Sequence, residues 1–126
     1  MTIAVPAFAA PNFPGLAHVP AWLAKLVAKY ETIKVGTATA SGVNDWLLHM
    51  NGGMLILVLV AIVFRRTLAS PWPLLAVIVA EGLNEYIDRL AYGGWRWEDT
   101  SRDIFFTLLW PALLFLLLGS GLVKRD

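Results

Sequence analysis

The chain has 126 residues, 58% of them hydrophobic and only 15% charged, with a formal net charge of +1 and no cysteine. Soluble domains carry roughly a quarter charged residues, so a mean hydropathy of +0.65 points to an integral membrane protein of one small domain. The near-neutral balance gives no reason to expect a nucleic-acid partner, and the lack of thiols excludes disulfides and thiolate metal sites.

The first twenty residues, MTIAVPAFAAPNFPGLAHVP, contain four prolines, which disfavour a helix and predict an extended arm lying on the surface. Ala7-Phe8-Ala9 has the small-residue look of a signal-peptidase site. No Lys or Arg precedes it, and Pro6 interrupts the apolar run, so no cleaved signal is expected. From Ala21 to about Ile33, Trp22, Leu23, Leu26, Val27, Tyr30 and Ile33 recur at helical spacing. With Lys25 and Lys29 assigned to the opposite face, this predicts an amphipathic helix in the membrane interface, started by Pro20. Packing on a partner subunit is the alternative. Residues 34–44, KVGTATASGVN, are small and polar and predict a linker. Residues 1–44 thus form an arm, an interfacial helix and a linker, and residues 45–126 form the membrane domain.

Three apolar segments follow. Trp46 to Phe64 makes roughly 28 Å of helix, enough for a hydrocarbon core of about 30 Å, and Arg65 and Arg66 stop it. Pro71 to about Tyr92 is the second segment. Ile104 to Val123 is the third, closed by Lys124-Arg125-Asp126. The expected fold class is an all-α integral membrane protein with three transmembrane helices plus the N-terminal interfacial helix. The short connection RRTLAS makes the first two spans antiparallel.

Six of the nine acidic residues, Glu81, Glu85, Asp88, Glu98, Asp99 and Asp103, lie between positions 81 and 103. Carboxylates in a membrane-spanning helix are costly and rarely face lipid. The antiparallel arrangement puts Asp45 and His49, then Glu85, Asp88 and Arg89, then Asp103 and Thr107 on one side of the membrane. Glu81, Glu85 and Arg89 follow at intervals of four and share a face, with Asn84 and Asp88 on the adjacent stripe. Together they predict a polar, mostly acidic pocket in which Arg89 pairs with Glu85. A structural polar core is the other reading of the same residues. Charge counts on the two sides leave the orientation open.

Asp45-x-x-x-His49 resembles the D-K-x-x-H motif of VanZ-like membrane proteins. Glu81-x-x-Asn84 is similar to that family's E-x-x-Q, and Arg96 followed by Asp99-x-x-x-Asp103 resembles its R…D-x-x-x-N before the last span. The likeness covers about residues 45–115. Trp46 stands in place of the Lys, Asp103 in place of the Asn and Phe106 where a Gly is usual, and the interfacial helix replaces the family's first span. The resemblance implies a multi-pass protein of the bacterial inner membrane with its acidic side outward. It also implies an envelope role, since the family is named for low-level glycopeptide resistance.

The candidate ligand-binding residues are Asp45, His49, Glu81, Asn84, Glu85, Arg89, Arg96, Asp99 and Asp103. The expected ligand is a polar or cationic lipid headgroup or a lipid-linked cell-wall compound, with membrane lipids as partners. A small accessory subunit of a larger membrane complex, with Pro111 kinking the third span to fit a partner, is the alternative. No serine has a nearby histidine in sequence, so no nucleophile is assigned, and a metal-assisted enzyme acting on a lipid headgroup is the third and last-ranked reading. No cofactor is expected. One imidazole among carboxylates suits Mg, Mn, Ca or Zn without choosing, but the spacing matches no defined metal motif, and no metal is assigned. Trp95 and Trp97 read as an aromatic belt, with a cation–π shelf for a headgroup as the alternative.

Overall fold

The computed structural model describes residues 13–123, and all regular structure among them is helical. A short 3₁₀ helix, Pro14–His18, precedes four α-helices: α1 (Ala21–Ser41), α2 (Asp45–Val63), α3 (Pro71–Tyr92) and α4 (Trp97–Gly119). Helices α2, α3 and α4 pack on one another as a bundle, while α1 and the 3₁₀ turn lie against α3.

The expected arm is folded where it is described. Pro14 occupies the first turn of the 3₁₀ helix, where its missing N–H costs nothing. Gly15 presses on the Leu90 carbonyl and the backbone of Gly93, so that a β-carbon there would collide. The Phe13 ring stands edge-on to Tyr92 at 5.9 Å. Residues 1–12, which include the Ala7-Phe8-Ala9 stretch, and Lys124-Arg125-Asp126 lie outside the described residues.

Two expectations for α1 are corrected. The helix does not stop near Ile33 but runs through most of the supposed linker to Ser41, where Gly42 closes it at φ +63°. Thr37 Oγ1 donates back to the Ile33 carbonyl at 2.8 Å and Ser41 Oγ to that of Ala38 at 3.2 Å. These local bonds and tertiary anchoring outweigh the weak propensity of Gly36 and the threonines. Nor do Lys25 and Lys29 oppose the apolar residues. Lys29 follows Trp22 by seven positions and precedes Ile33 by four, so a 3.6-residue turn puts them on one side. Trp22, Lys25, Leu26, Lys29 and Ile33 all face outward, and the buried side carries Val27 and Glu31.

Helix α2 ends in a Schellman arrangement: the Arg66 amide bonds to the Ala61 carbonyl at 2.9 Å and the Arg65 amide to that of Ile62 at 3.2 Å. This requires a left-handed residue just past the cap, and Arg65 supplies it at φ +51°. Ser70 caps α3, accepting from the Trp72 amide, with Pro71 in the first turn and Gly93 at φ +82° beyond its end. In α4, Glu98 and Asp99 sit in the first turn, where carboxylates complement the helix dipole. Pro111 interrupts α4 from inside the bundle, where it is fully buried.

Among the described residues only α2 and α4 are long and apolar enough to cross a membrane, and 17% of the residues in each apolar window are buried, which is not the pattern of a soluble core helix. The expectation of three apolar spans is corrected to two: α3 is of similar length, but its second half carries Glu81, Glu85, Asp88 and Arg89. The distribution of side chains explains how it is accommodated. Among the described residues Glu31, Glu81, Asn84, Glu85, Thr100, Asp103 and Thr107 are buried, as many as the buried apolar side chains Val27, Leu57, Ala61, Val77, Ala91, Pro73 and Pro111. Trp72, Leu75, Ile78, Val79, Leu83 and Tyr86 form the exposed side of α3. The molecule is polar inside and apolar outside.

Candidate functional site

His49 lies one turn into α2 and is encircled. Its Nδ1 is 3.2 Å from Thr107 Oγ1 and 3.5 Å from Glu81 Oε2, and its Nε2 is 3.4 Å from Asp103 Oδ2 and 3.7 Å from Asp45 Oδ2. Three helices contribute: α2 gives Asp45 and His49, α3 gives Glu81, and α4 gives Asp103 and Thr107. Their approach rests on a backbone contact. Pro111 has no N–H, so the Thr107 carbonyl four residues earlier lacks its helical donor. Gly53 packs on that carbonyl, and any β-carbon would strike it. The turn of α4 that carries Thr107 is thereby drawn onto the turn of α2 that carries His49.

A second cluster joins α1 to α3. Lys34 is paired with Asp88, with Glu31 at 2.9 Å, and donates to Asn84 Oδ1 at 3.3 Å. The Tyr30 hydroxyl donates to the same Asn84 oxygen at 2.8 Å, and Asn84 Nδ2 donates to Glu85 Oε1 at 3.3 Å. Burial, reinforced by the hydrogen bond to Asp88, pushes the Glu31 carboxyl up to about 7. Burial pulls the Lys34 ammonium down, but its contacts with Asp88 and Glu31 outweigh this and hold it above its ordinary range. Burial also raises the Tyr30 phenol.

The two clusters meet in two cavities that share Lys34, Asp45 and His49. One, of about 250 Å³, is lined by Tyr30, Glu81, Asn84 and Thr107 together with Gly52 and Ile56. The other, of about 160 Å³, opens between Glu31, Asp88, Arg96, Asp99, Arg102 and Asp103. An apolar groove of about 540 Å³ between α2 and α3, lined by Val60, Phe64, Leu75, Val79 and Leu83, shares Ala80 with the larger polar cavity.

Of the residues singled out from sequence, Asp45, His49, Glu81 and Asp103 come together, and Asn84 and Glu85 stand beside them in the second cluster. Arg96 and Asp99 form a rim: Asp99 pairs with Arg96 at 3.3 Å and Arg102 at 2.6 Å, and the Arg96 guanidinium lies 3.9 Å from the Tyr92 ring centre. Arg89 is corrected. Among the described residues it pairs with no carboxylate and not with Glu85; it lies over Trp95 at 5.4 Å. Trp95 and Trp97 stack on each other at 5.3 Å. Lys34, Glu31 and Tyr30 are the residues that sequence reasoning missed. Their signal is the spacing of Tyr30, Glu31, Lys34 and Ala38 along one helical face, visible once the helix is allowed to continue.

The arrangement holds a surplus of acid. Glu81 Oε1 and Asp103 Oδ1 are buried with no hydrogen-bond partner among the described residues, whereas the carboxylates around Lys34 are matched. No family model, characterised protein or solved structure matches the chain.

Proposed function

We propose that the chain is a VanZ-like multi-pass protein of the bacterial inner membrane that holds the polar or cationic headgroup of an envelope amphiphile, a membrane lipid or lipid-linked cell-wall compound, in its acidic pocket. In this reading α3 crosses beside α2 and α4. Its charges are turned into the bundle and its outer stripe from Trp72 to Tyr86 is apolar, which meets the requirement that intramembrane carboxylates avoid lipid. The observation that carries the ligand class is the continuity, along the α2–α3 seam, of the apolar groove with a cavity whose largely apolar wall carries a few convergent polar side chains. Ala80 lines both, and Ile56 on the polar side is one turn from Val60 on the apolar side. A headgroup among Tyr30, Asp45 and Asn84 would leave its chain in the groove, the few convergent polar groups fixing orientation.

The test is native mass spectrometry and lipid extraction of the protein purified in mild detergent, beside glycopeptide sensitivity of cells carrying wild type or variants. Wild type should retain one amphiphile per chain. Asp45→Asn with Asn84→Leu should lose it and fail to complement a deletion. A stoichiometric protein partner with no bound amphiphile would overturn the reading in favour of an accessory subunit.

A further inference from the structure

We infer that His49, Asp45 and Asp103 form a binding site for one divalent cation of the first transition row, Mn²⁺ or Zn²⁺, oriented from behind by Glu81. The inference does not depend on the nature of the amphiphile.

The ligand geometry comes first. His49 Nε2 is 3.4 Å from Asp103 Oδ2 and 3.7 Å from Asp45 Oδ2, and all three ligand atoms lie within 4.8 Å of one another. Donors bound at about 2.1 Å around one tetrahedral ion sit about 3.4 Å apart, so the three atoms already stand near the spacing that an ion would impose. The far side of the ring supplies an independent sign. A metal-bound histidine characteristically gives its other N–H to a carboxylate, and His49 Nδ1 faces Glu81 Oε2 at 3.5 Å beside Thr107 Oγ1. Thr107 and Glu81 thus share the orienting position and Nε2 is left for the ion.

Uncompensated buried oxygen points the same way. Asp103 and Glu81 are 5% and 6% exposed, and each has one carboxylate oxygen without a partner among the described residues. Leaving such atoms unpaired in an interior is costly. A dication held through Oδ2 offsets the charge of the buried Asp103 carboxylate, whose Oδ1 has no other partner among the described residues. It also fixes the imidazole as a donor to Glu81. Asp45, largely exposed at the cavity mouth, would be the first ligand that an entering ion meets. One imidazole with two carboxylates favours Mn²⁺ or Zn²⁺ over Mg²⁺, which prefers an all-oxygen shell rich in water.

The test uses the full chain in detergent, stripped with EDTA and titrated with Mn²⁺ followed by the loss of free-ion EPR signal. One saturable Mn²⁺ per chain is expected, displaced by Zn²⁺ and poorly by Mg²⁺. Electron spin-echo spectra of the Mn²⁺-loaded wild type should show ¹⁴N modulation from a directly bound imidazole, a readout that needs no variant to fold. Asp103→Asn and His49→Gln should abolish saturable binding, and Glu81→Gln should weaken it by about 10–100-fold. No saturable Mn²⁺ or Zn²⁺, or bound Mn²⁺ without ¹⁴N modulation, would overturn the inference. So would folded His49→Gln or Asp103→Asn protein binding as wild type does.

Discussion

The two buried clusters solve the same problem, carboxylates in a low-dielectric interior, by opposite means. Around Lys34 the charges are matched: an ammonium meets Asp88, Glu31 is half neutralised by its raised pKa, and Asn84 joins the network to Tyr30 and Glu85. Around His49 the helices are held by a backbone contact between Gly53 and Thr107, and two carboxylate oxygens remain unanswered. A satisfied network is a fastening, whereas an unsatisfied one held rigid from outside is a place for a ligand. On the proposed reading the α1–α3 seam fastens the fold and lends Tyr30 and Asn84 to the headgroup, while the α2–α4 seam carries the proposed cation site.

The largest expected effect breaks the rigid side alone. Gly53→Ala inserts a β-carbon against the Thr107 carbonyl and should cost about 3 kcal/mol, the upper range for overpacking, because backbone cannot step aside. Gly52→Ala, with nothing within 4 Å, should instead stabilise by up to about 1 kcal/mol through helix propensity. Thermal unfolding in detergent reads both, and equal shifts would dissolve the distinction between the seams. Lys34→Met attacks the other side. It leaves Glu31 and Asp88 without their cation, and after discounting for its partial exposure it should cost about 2 kcal/mol. Hydrogen exchange should rise in α1 while the amides around Gly53 stay protected.

A pH series sharpens the same contrast. Because the Glu31 carboxyl is raised from 4.5 to about 7 in the folded protein, the folded state holds a proton that the unfolded chain has released. Its contribution to stability is fully present below about pH 4.5 and is lost as pH rises through about 7. Glu31→Gln should flatten the stability profile between these values, and an unchanged slope would remove Glu31 from the account. Arg89→Ala, which loses only an exposed cation–π contact, should cost about 0.5 kcal/mol. A change of opposite sign is expected for Arg65→Gly, which relieves a left-handed arginine and should stabilise by about 0.3 kcal/mol. Urea midpoints in detergent resolve both.

Helices α2 and α3 were legible because their stops are chemical, whereas α4 begins at Trp97, before the expected Ile104, and ends at Gly119, before the expected Val123. Arg65 and Arg66, Ser70-Pro71, and Gly93 mark ends that any apolar pattern respects. Spacing also placed Asp45, His49, Glu81 and Asp103 at one depth. Two features were hidden. Small polar residues from Gly36 to Ser41 resemble a loop until a long-range anchor holds them helical, and that anchor, Lys34 on Asp88, joins residues 54 apart in sequence. The Glu85–Arg89 pairing failed for a related reason: residues four apart in a helix can meet, but Glu85 faces the bundle and Arg89 has Trp95 to lie on. Similarly, no periodicity distinguishes Gly53 from Gly52. Only the partner helix does.

Pro111 has a mechanical consequence. The bond it removes leaves Thr107 as the softest joint of α4, so the helix bends most easily there. One arm reaches Asp103, about 6 Å along the axis, and the other reaches Gly119, about 18 Å away. A soft joint absorbs a tilt of the long arm, so lipid or a neighbour can displace the Gly119 end while Asp103 keeps its place beside His49. Gly53 serves as the bearing against which the joint turns.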